Sequence, residues 1–459
     1  MLRPISDVLT KFMQRYLPDA ILFAILLSFI TYLAGIFIGN TGPISLLMSW
    51  GGGLWNLLEF SMQVTLTLVS AFILAHTKPV KKVLESAASK VKSPTSAITI
   101  CIIISMIASM ISWGFGLIIG ALVAKELAKQ VRGVHYPLLV AAAYSGFVIW
   151  HGGLSSSVAL AIATPGHFLE DMIGVVPVTE TIFSSYNLLI LAILFVTLPI
   201  ILNLMKPKKE DVIEFQGTPE TASAAEAEKL VAEEEIKAAQ AEIMPFNKER
   251  KTPAQKWENS RFTSSVLGGL LLIYLIIYFT QNGGLTALNL NIVNLMFISI
   301  GLLFVSSPKE YIGHGVEAGK SAANIIIQYP LYSGIMAMMV ASGLAVMISD
   351  GFVSMASDVT LPIFSFIAAG IVNVFVPSGG GQWAIQGPIM LPAAEALGAD
   401  VAKVAMAVAW GDGWTNMLQA FWALPLLAIA KLSIRDIMGY CFITLVWVAI
   451  VVTTVMLIV

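Results

Sequence analysis

The sequence predicts an all-α polytopic membrane protein, built as an inverted-topology repeat with two re-entrant hairpins and two unwound transmembrane helices. Hydrophobic residues make up 57% of its 459 residues and charged residues only 12%. Soluble domains are about half apolar and a quarter charged. Apolar stretches of about 20 residues, the length of a bilayer-spanning helix, recur along the chain. Glycine and polar residues interrupt four of these stretches.

The first predicted repeat covers residues 1–205. It opens with a basic amphipathic lead-in rather than a signal peptide, because the apolar run that follows is long and lacks a small-residue cleavage site. The loop at 40–53 has no basic residue and is predicted to lie outside the cell. The predicted elements are spans at 20–39 and 54–75, a hairpin at 97–124, a broken span at 137–163 and a span at 181–204.

The second predicted repeat covers residues 262–459 and follows a charged segment at 206–261. We predict that this segment is a cytoplasmic linker with a partly helical centre at 224–243, which is rich in Ala, Glu and Lys. The predicted elements of the repeat are spans at 263–280, 288–305 and 323–348, a hairpin at 361–397, a broken span at 401–430 and a span at 433–457.

Lysine and arginine positions give the two hairpins opposite orientations, because basic loops stay on the cytoplasmic side. Segment 97–124 has basic loops at both ends, so it enters from the cytoplasm and turns near SWGFG (112–116). Segment 361–397 has none, so it enters from outside and turns in VPSGGGQW (376–383). This opposition predicts an inverted repeat, with a cytoplasmic N-terminus and an external C-terminus. The predicted location is the inner membrane.

Each predicted hairpin turn is paired with a broken span, WHGGLSSS (150–157) or WGDGWTNMLQ (410–419). Broken helices present N–H groups that favour anions and C=O groups that favour cations, and they persist where protein or a wet cavity covers them. Helix packing is the alternative role for each residue. The predicted substrate-binding residues are Ser112, Trp113, Gly114, Ser155, Ser156, Ser378, Gly379, Gly380, Gly381, Gln382, Thr415 and Asn416.

Two ionisable residues, His151 and Asp412, are predicted at membrane depth in matching positions of the two halves. An intramembrane carboxylate is a candidate for binding a coupling cation or for carrying a proton. The alternative for Asp412 is an interfacial position or a bond to a backbone break. We predict that a coupling cation binds near Asn373, Ser378, Asp412, Asn416 and His151.

Several function classes are excluded by missing features. The sequence has no GxSxG, HExxH or GxxxxGK[ST] motif, which argues against an enzyme and against an ATP-driven pump. The net charge of −2 gives no basic surface for nucleic acid. Cys101 and Cys441 lie in apolar segments and are predicted to pack rather than to bind a metal. We predict a secondary active transporter without a cofactor, other than a coupling ion such as Na⁺. The alternatives are an uncoupled facilitator or channel for small organic anions and a transporter of dicarboxylates.

Long strings of the sequence resemble the bacterial short-chain fatty acid transporter family, the acetoacetate and butyrate uptake permeases. The resemblance covers essentially the whole chain except the linker. The strings that carry it are VPSGGGQWAIQGP (376–388), LPAAEALGAD (391–400), WGFGLIIGA (113–121), YPLL (136–139), ATPGH (163–167), NLMF (294–297), FWALPLLAIA (421–430) and RDIMGYC (435–441).

The resemblance implies import of short-chain monocarboxylates by a homodimer in which a hairpin-bearing part moves against a scaffold. It places the chain in a wider ion-transporter grouping with divalent-anion/sodium symporters. Carried over, the family pattern implies roles for Ser112, Gly114, Ser378, Gly379, Thr415 and Asn416. The Ser-Asn-Thr tip motif of the dicarboxylate relatives is missing, which leaves both Na⁺ and H⁺ open as the coupling ion.

Overall fold

The computed structural model describes residues 20–89, 91–215 and 252–459. The predicted basic lead-in before residue 20 and the predicted helical centre of the linker at 224–243 lie outside these ranges. Within them, every regular element is an α-helix or a short 3₁₀ helix. By length and composition, six described helical segments can cross a membrane, or seven spans if one bent helix is included.

The first half opens with four helices before its hairpin: α1 (Ala20–Phe37), α2 (Pro43–Gly53), α3 (Leu58–His76) and α4 (Lys78–Ser89). The prediction of a plain loop at 40–53 is wrong, because α2 occupies most of it. Pro43 supplies a helical φ at the first turn, and Leu46 is fully buried. At 11 residues, α2 is too short to cross a bilayer, so a span-length search overlooks it.

A helical hairpin follows, formed by α5 (Pro94–Ile111) and α6 (Trp113–Gln130), which pack along one another. Ser93 starts α5 with a capping box. Ser112 alone separates the helices, and its extended backbone (φ −158°, ψ 133°) lets the chain reverse. The turn therefore lies within the predicted 112–116 stretch. The re-entrant placement of this hairpin in a bilayer stays a prediction.

The next helix is broken in its middle. α7 (Tyr136–Ser145) tightens into a 3₁₀ helix (Gly146–Gly152). A turn follows at 153–155, closed by a hydrogen bond from Ser156 N to the Gly153 carbonyl (3.0 Å), and α8 (Ser157–Ile162) then begins. A Cβ atom at Gly153 would lie 2.7 Å from Met110 Cβ, so glycine is needed for this close approach to the hairpin. The half ends with α9 (Glu170–Ile173) and α10 (Ser185–Leu204).

The second half opens with α11 (Pro253–Glu258), α12 (Arg261–Gln281), α13 (Leu290–Phe304), α14 (Pro308–Ala341) and α15 (Leu344–Met355). The single span predicted at 323–348 is wrong. α14 begins at Pro308, bends by 47° between its Pro308–Lys320 and Ile325–Ala341 parts, and ends before Gly343. Gly343 adopts a left-handed φ of 72°, which terminates the helix. The first part of α14 contains charged residues, so a search for apolar spans does not include it.

The second hairpin consists of α16 (Leu361–Phe375) and α17 (Gly379–Leu397). Its break covers 376–378, so the three glycines begin α17 instead of forming an irregular tip. Ser378 Oγ accepts a hydrogen bond from Gly381 N (3.4 Å) and caps the helix. Packing on both sides sustains this glycine start, because every residue from Gly379 to Met390 is buried.

The second broken helix comprises α18 (Val401–Thr415), a 3₁₀ turn (Asn416–Leu418) and α19 (Ala420–Ala430), and α20 (Ile434–Ile458) ends the chain. The prediction of an unwound stretch across 410–419 is wrong in its first part, since α18 stays helical through Thr415. The helix breaks only at the 3₁₀ turn and at Gln419, whose backbone is extended.

The two broken helices meet at the centre of the molecule. α18 packs on the 3₁₀ segment Gly146–Gly152, and Gly413 comes close to the carbonyl of Val148. Each hairpin also packs on the broken helix of its own half. Both halves thus run in the same order of hairpin, broken helix and long apolar helix; the inverted relation of the halves stays a prediction.

Candidate functional site

A buried acid–base pair lies where the two broken helices cross. His151 Nε2 is 3.1 Å from Asp412 Oδ2, and the two side chains are 0% and 2% exposed. His151 Nδ1 lies 3.1 Å from Ser156 Oγ, which also caps α8 by accepting from Ala159 N. Asp412 Oδ1 accepts no hydrogen bond from the residues described. The 3₁₀ geometry places His151 here, and the unbroken helix α18 places Asp412 opposite.

Asn373 anchors the end of α16 to the break in α18. Its Nδ2 lies 2.6 Å from the Asp412 carbonyl, 2.9 Å from Thr415 Oγ1 and 2.8 Å from Asn416 Oδ1. One amide has only two N–H donors, so three acceptors share them. Tyr144 Oη donates to the Asn416 carbonyl (2.6 Å) from the first half. Thr415 and Asn416 therefore face this internal network, which holds the break open.

The glycines at the start of α17 lie in close contact with neighbouring parts of the protein. A Cβ atom at Gly379 would lie 2.7 Å from His151 Nε2 and 2.8 Å from Ser157 Oγ. At Gly380 it would lie 2.5 Å from Tyr329 Oη, and at Gly381 2.5 Å from the Tyr332 ring. The start of α17 thus touches the acid–base pair on one side and α14 on the other. A movement of this hairpin would therefore change the contact between Gly379 and the imidazole of His151.

Some of the remaining predicted polar residues form side-chain hydrogen bonds, and others form none with the residues described. Gln382 Nε2 donates to the Ala369 carbonyl (2.8 Å) and to Gln386 Oε1 (2.7 Å), inside the hairpin. Ser112, Ser155 and the neighbouring Ser157 are buried, and their hydroxyls have no hydrogen-bond partner among the residues described. Buried hydroxyls without partners are uncommon in folded proteins, so they mark positions where a bound group can supply the missing bond.

The tips of both hairpins open onto one cavity of about 370 Å³. Trp113 and Gly114 come from the first tip, and Pro377 and Ser378 come from the second. Its volume falls within the roughly 300–1,000 Å³ of small-molecule sites. The other lining residues are Leu68, Phe72, Leu117, Ile118, Lys320, Ile325, Gln328, Tyr329, Trp422 and Pro425.

Polar side chains of Ser378 and of one helix, α14, line this otherwise apolar cavity. Ser378 Oγ lies 3.3 Å from Tyr329 Oη, and Gln328 and Lys320 lie on the same helix as Tyr329. Sequence reasoning missed these three residues of α14. Lys320 precedes the predicted span at 323–348. No local pattern in the sequence indicates that this helix packs next to the hairpin tips. Trp113 and Trp422, which also line the cavity, pack edge to face with ring centroids 5.0 Å apart.

A second cavity, of about 620 Å³, lies between α10 and α20 and does not resemble a binding site. Its two polar side chains satisfy each other, because Trp447 Nε1 donates to Thr197 Oγ1 (2.8 Å). The described residues contain no group of three or more His, Cys, Asp or Glu side chains that could hold a metal. Cys101 and Cys441 are separate, buried thiols.

Helices broken at the centre of an apolar bundle, around a buried polar cluster, recur in many membrane transporter folds. The chain belongs to the short chain fatty acid transporter family, whose family model matches residues 1–459. This membership confirms the resemblance seen in the sequence, and with it the prediction of a multi-pass membrane transporter rather than an enzyme.

Two relatives carry the printed name "Putative short-chain fatty acid transporter". The protein from Escherichia coli strain K12 is 41% identical over 441 residues, which is 96% of each chain. The protein from Haemophilus influenzae is 39% identical over 459 residues, which is 98% of each chain. Among solved structures, the fold is similar to the YdaH transporter of Alcanivorax borkumensis, which has an unusual topology. The TM-score is 0.59 at 12% identity, over 96% of this chain and 98% of that one. This likeness confirms the all-α polytopic fold.

Proposed function

We propose that the protein imports short-chain monocarboxylates, such as acetoacetate or butyrate, across the inner membrane together with a cation. The observation that carries this proposal is the cavity of about 370 Å³ on which both hairpin tips converge. Its mostly apolar lining and its few polar side chains match a molecule with a short aliphatic tail and one charged end. The names of the relatives point to the same substrate class.

The hairpin tips supply the groups that bind the carboxylate of the substrate. α6 begins at Trp113 and α17 at Gly379, and both helices start at the tips next to the cavity. Helix N-termini carry free N–H groups and a partial positive charge, which favour anions. Ser378 lines the cavity with a hydroxyl at the second tip. The aliphatic tail packs against the apolar lining, which includes Leu117, Ile118 and Trp422.

The buried pair of His151 and Asp412 is the proposed coupling site. The open oxygen, Asp412 Oδ1, is available to a proton or to a sodium ion, and Oδ2 is held by the imidazole. Gly379 lies against the imidazole, so the cation and the hairpin share one contact. Binding of the cation thereby biases the position of the hairpin, which moves in an elevator-like manner against a scaffold within a homodimer.

Uptake of labelled butyrate into proteoliposomes tests the proposal. An imposed inward proton or sodium gradient is expected to drive accumulation above equilibrium, and the gradient that does so identifies the ion. Equilibration without stimulation by either gradient would establish an uncoupled facilitator. Strong competition by succinate, with weak competition by acetoacetate, would identify a dicarboxylate transporter instead.

A further inference from the structure

We infer that Lys320 is the charge-selecting residue of the cavity: its ammonium group pairs with the single carboxylate of the transported acid. This inference rests on the proposed function and specifies how the site distinguishes a monoanion from neutral and doubly charged molecules. Neither the family pattern nor the predicted site includes a cationic side chain.

Lys320 is the one charged side chain among the described residues that line the cavity. It is exposed, and it forms no ion pair with any residue in the described ranges. Its charge is therefore available to a ligand rather than neutralised by a neighbouring carboxylate. Most of the remaining lining is aliphatic or aromatic, so Lys320 supplies the positive charge of the cavity.

The helix geometry explains why Lys320 lines the cavity. Lys320 is the last residue of the first part of α14, directly before the helix bends by 47°. Gln328 and Tyr329 lie beyond the bend and line the same cavity. The bend thus brings Lys320 and Tyr329, which lie on either side of it, to one site. The flexible four-carbon stem of lysine lets its charge follow a carboxylate that moves toward the hairpin tips.

A single lysine in a mostly apolar cavity favours substrates that carry one negative charge. A carboxylate that leaves water loses its hydration, and the ammonium group offsets this loss. A second carboxylate would find no cationic side chain among the described lining residues, so a dicarboxylate is disfavoured. A neutral amide of the same shape gains nothing from Lys320 and binds weakly. The number of carboxylates is therefore selected by charge balance, independently of size.

The test compares Lys320→Gln, Lys320→Arg and the control Lys309→Gln in butyrate uptake by proteoliposomes. Lys309 is exposed on the same helix and does not line the cavity. Lys320→Gln is expected to raise KM for butyrate about tenfold with the maximal rate within about twofold, the size expected for one charge-assisted bond. Lys320→Arg keeps the charge and should keep KM within about threefold of wild type. Lys309→Gln should match wild type.

A selectivity measurement separates charge recognition from a structural role. Butyramide has nearly the shape of butyrate but no charge, and the ratio of their inhibition constants reports the contribution of charge. The ratio should fall about tenfold in Lys320→Gln and stay unchanged in Lys309→Gln. An unchanged ratio, or a KM within twofold of wild type, would overturn the inference while leaving the transport function intact. Wild-type protein that takes up no butyrate would overturn the proposed function itself.

Discussion

His151 Nε2 lies 3.1 Å from Asp412 Oδ2, although 261 residues separate the two in sequence. Each residue belongs to the broken helix of its own half, so the contact joins the halves at the point where both helices cross. Gly379 of the second hairpin lies against the same imidazole. The structure thus concentrates an ionisable pair, two broken helices and a hairpin tip in one small region.

Asp412→Asn is expected to abolish stimulation of butyrate uptake by a cation gradient. The amide can still bond to His151, but it neither carries the negative charge that holds a cation nor releases a proton. The measurement is uptake with and without an imposed gradient. Asp400→Asn is the matched control, because Asp400 caps the start of the same helix and Asn caps equally well. Gradient-driven uptake at the wild-type level in Asp412→Asn would assign the carboxylate a purely structural role.

Gly380→Leu is expected to block transport without preventing membrane insertion. Even a Cβ atom at this position would lie 2.5 Å from Tyr329 Oη and 2.9 Å from the Phe60 ring, so a larger side chain displaces the tip of the hairpin. Uptake and the yield of folded protein in the membrane fraction are measured together. Gly269→Leu on α12 has open space around it and should transport normally. Normal uptake by Gly380→Leu would show that this tip contact is dispensable.

Asn373→Ala is expected to lower the stability of the protein by about 1–3 kcal/mol, since it removes the donor that three acceptors at the α18 break share. Thermal unfolding in detergent gives the change as a lower Tm. Asn282→Ala, at an exposed position after α12, serves as the comparison and should change Tm little. A Tm for Asn373→Ala that equals wild type would mean that the break is held by packing alone.

Trp422→Ala is expected to shift chain-length preference toward longer acids. Removing the indole enlarges the cavity, so butyrate loses apolar contacts while hexanoate gains room. KM for butyrate should rise about tenfold. The readout is the ratio of uptake of the two acids. Trp257→Ala alters an exposed tryptophan of α11 outside the cavity and should leave that ratio unchanged. An unchanged ratio in Trp422→Ala would show that Trp422 does not contact the substrate.

The sequence alone predicted where the chain breaks its helices, with errors of a few residues. Glycines, prolines and polar residues interrupt apolar runs, and a helix at membrane depth tolerates them only at special positions. The first turn at Ser112 lies inside the predicted stretch. The second break begins later than expected at Asn416, because buried neighbours keep the Trp410 to Thr415 stretch helical despite its two glycines.

Two errors have a common physical cause. The short helix α2 and the long bent helix α14 do not have the length or hydropathy of a simple span, so a search for 20-residue apolar runs passes over the first and truncates the second. Both are held by contacts with other parts of the chain. Ser333 Oγ of α14, for example, donates to the Gly53 carbonyl of α2 (2.5 Å).

By itself, the sequence determined that this is an all-α membrane transporter of the short-chain fatty acid transporter family, and it identified the broken helices and His151 and Asp412 as candidates. These properties depend on composition and local pattern, which every stretch of sequence carries. Only the tertiary structure decided that His151 meets Asp412, that Thr415 and Asn416 face an internal network, and that Lys320 reaches the cavity. Such contacts join residues far apart in the chain, and they depend on how helices cross and bend rather than on any local pattern.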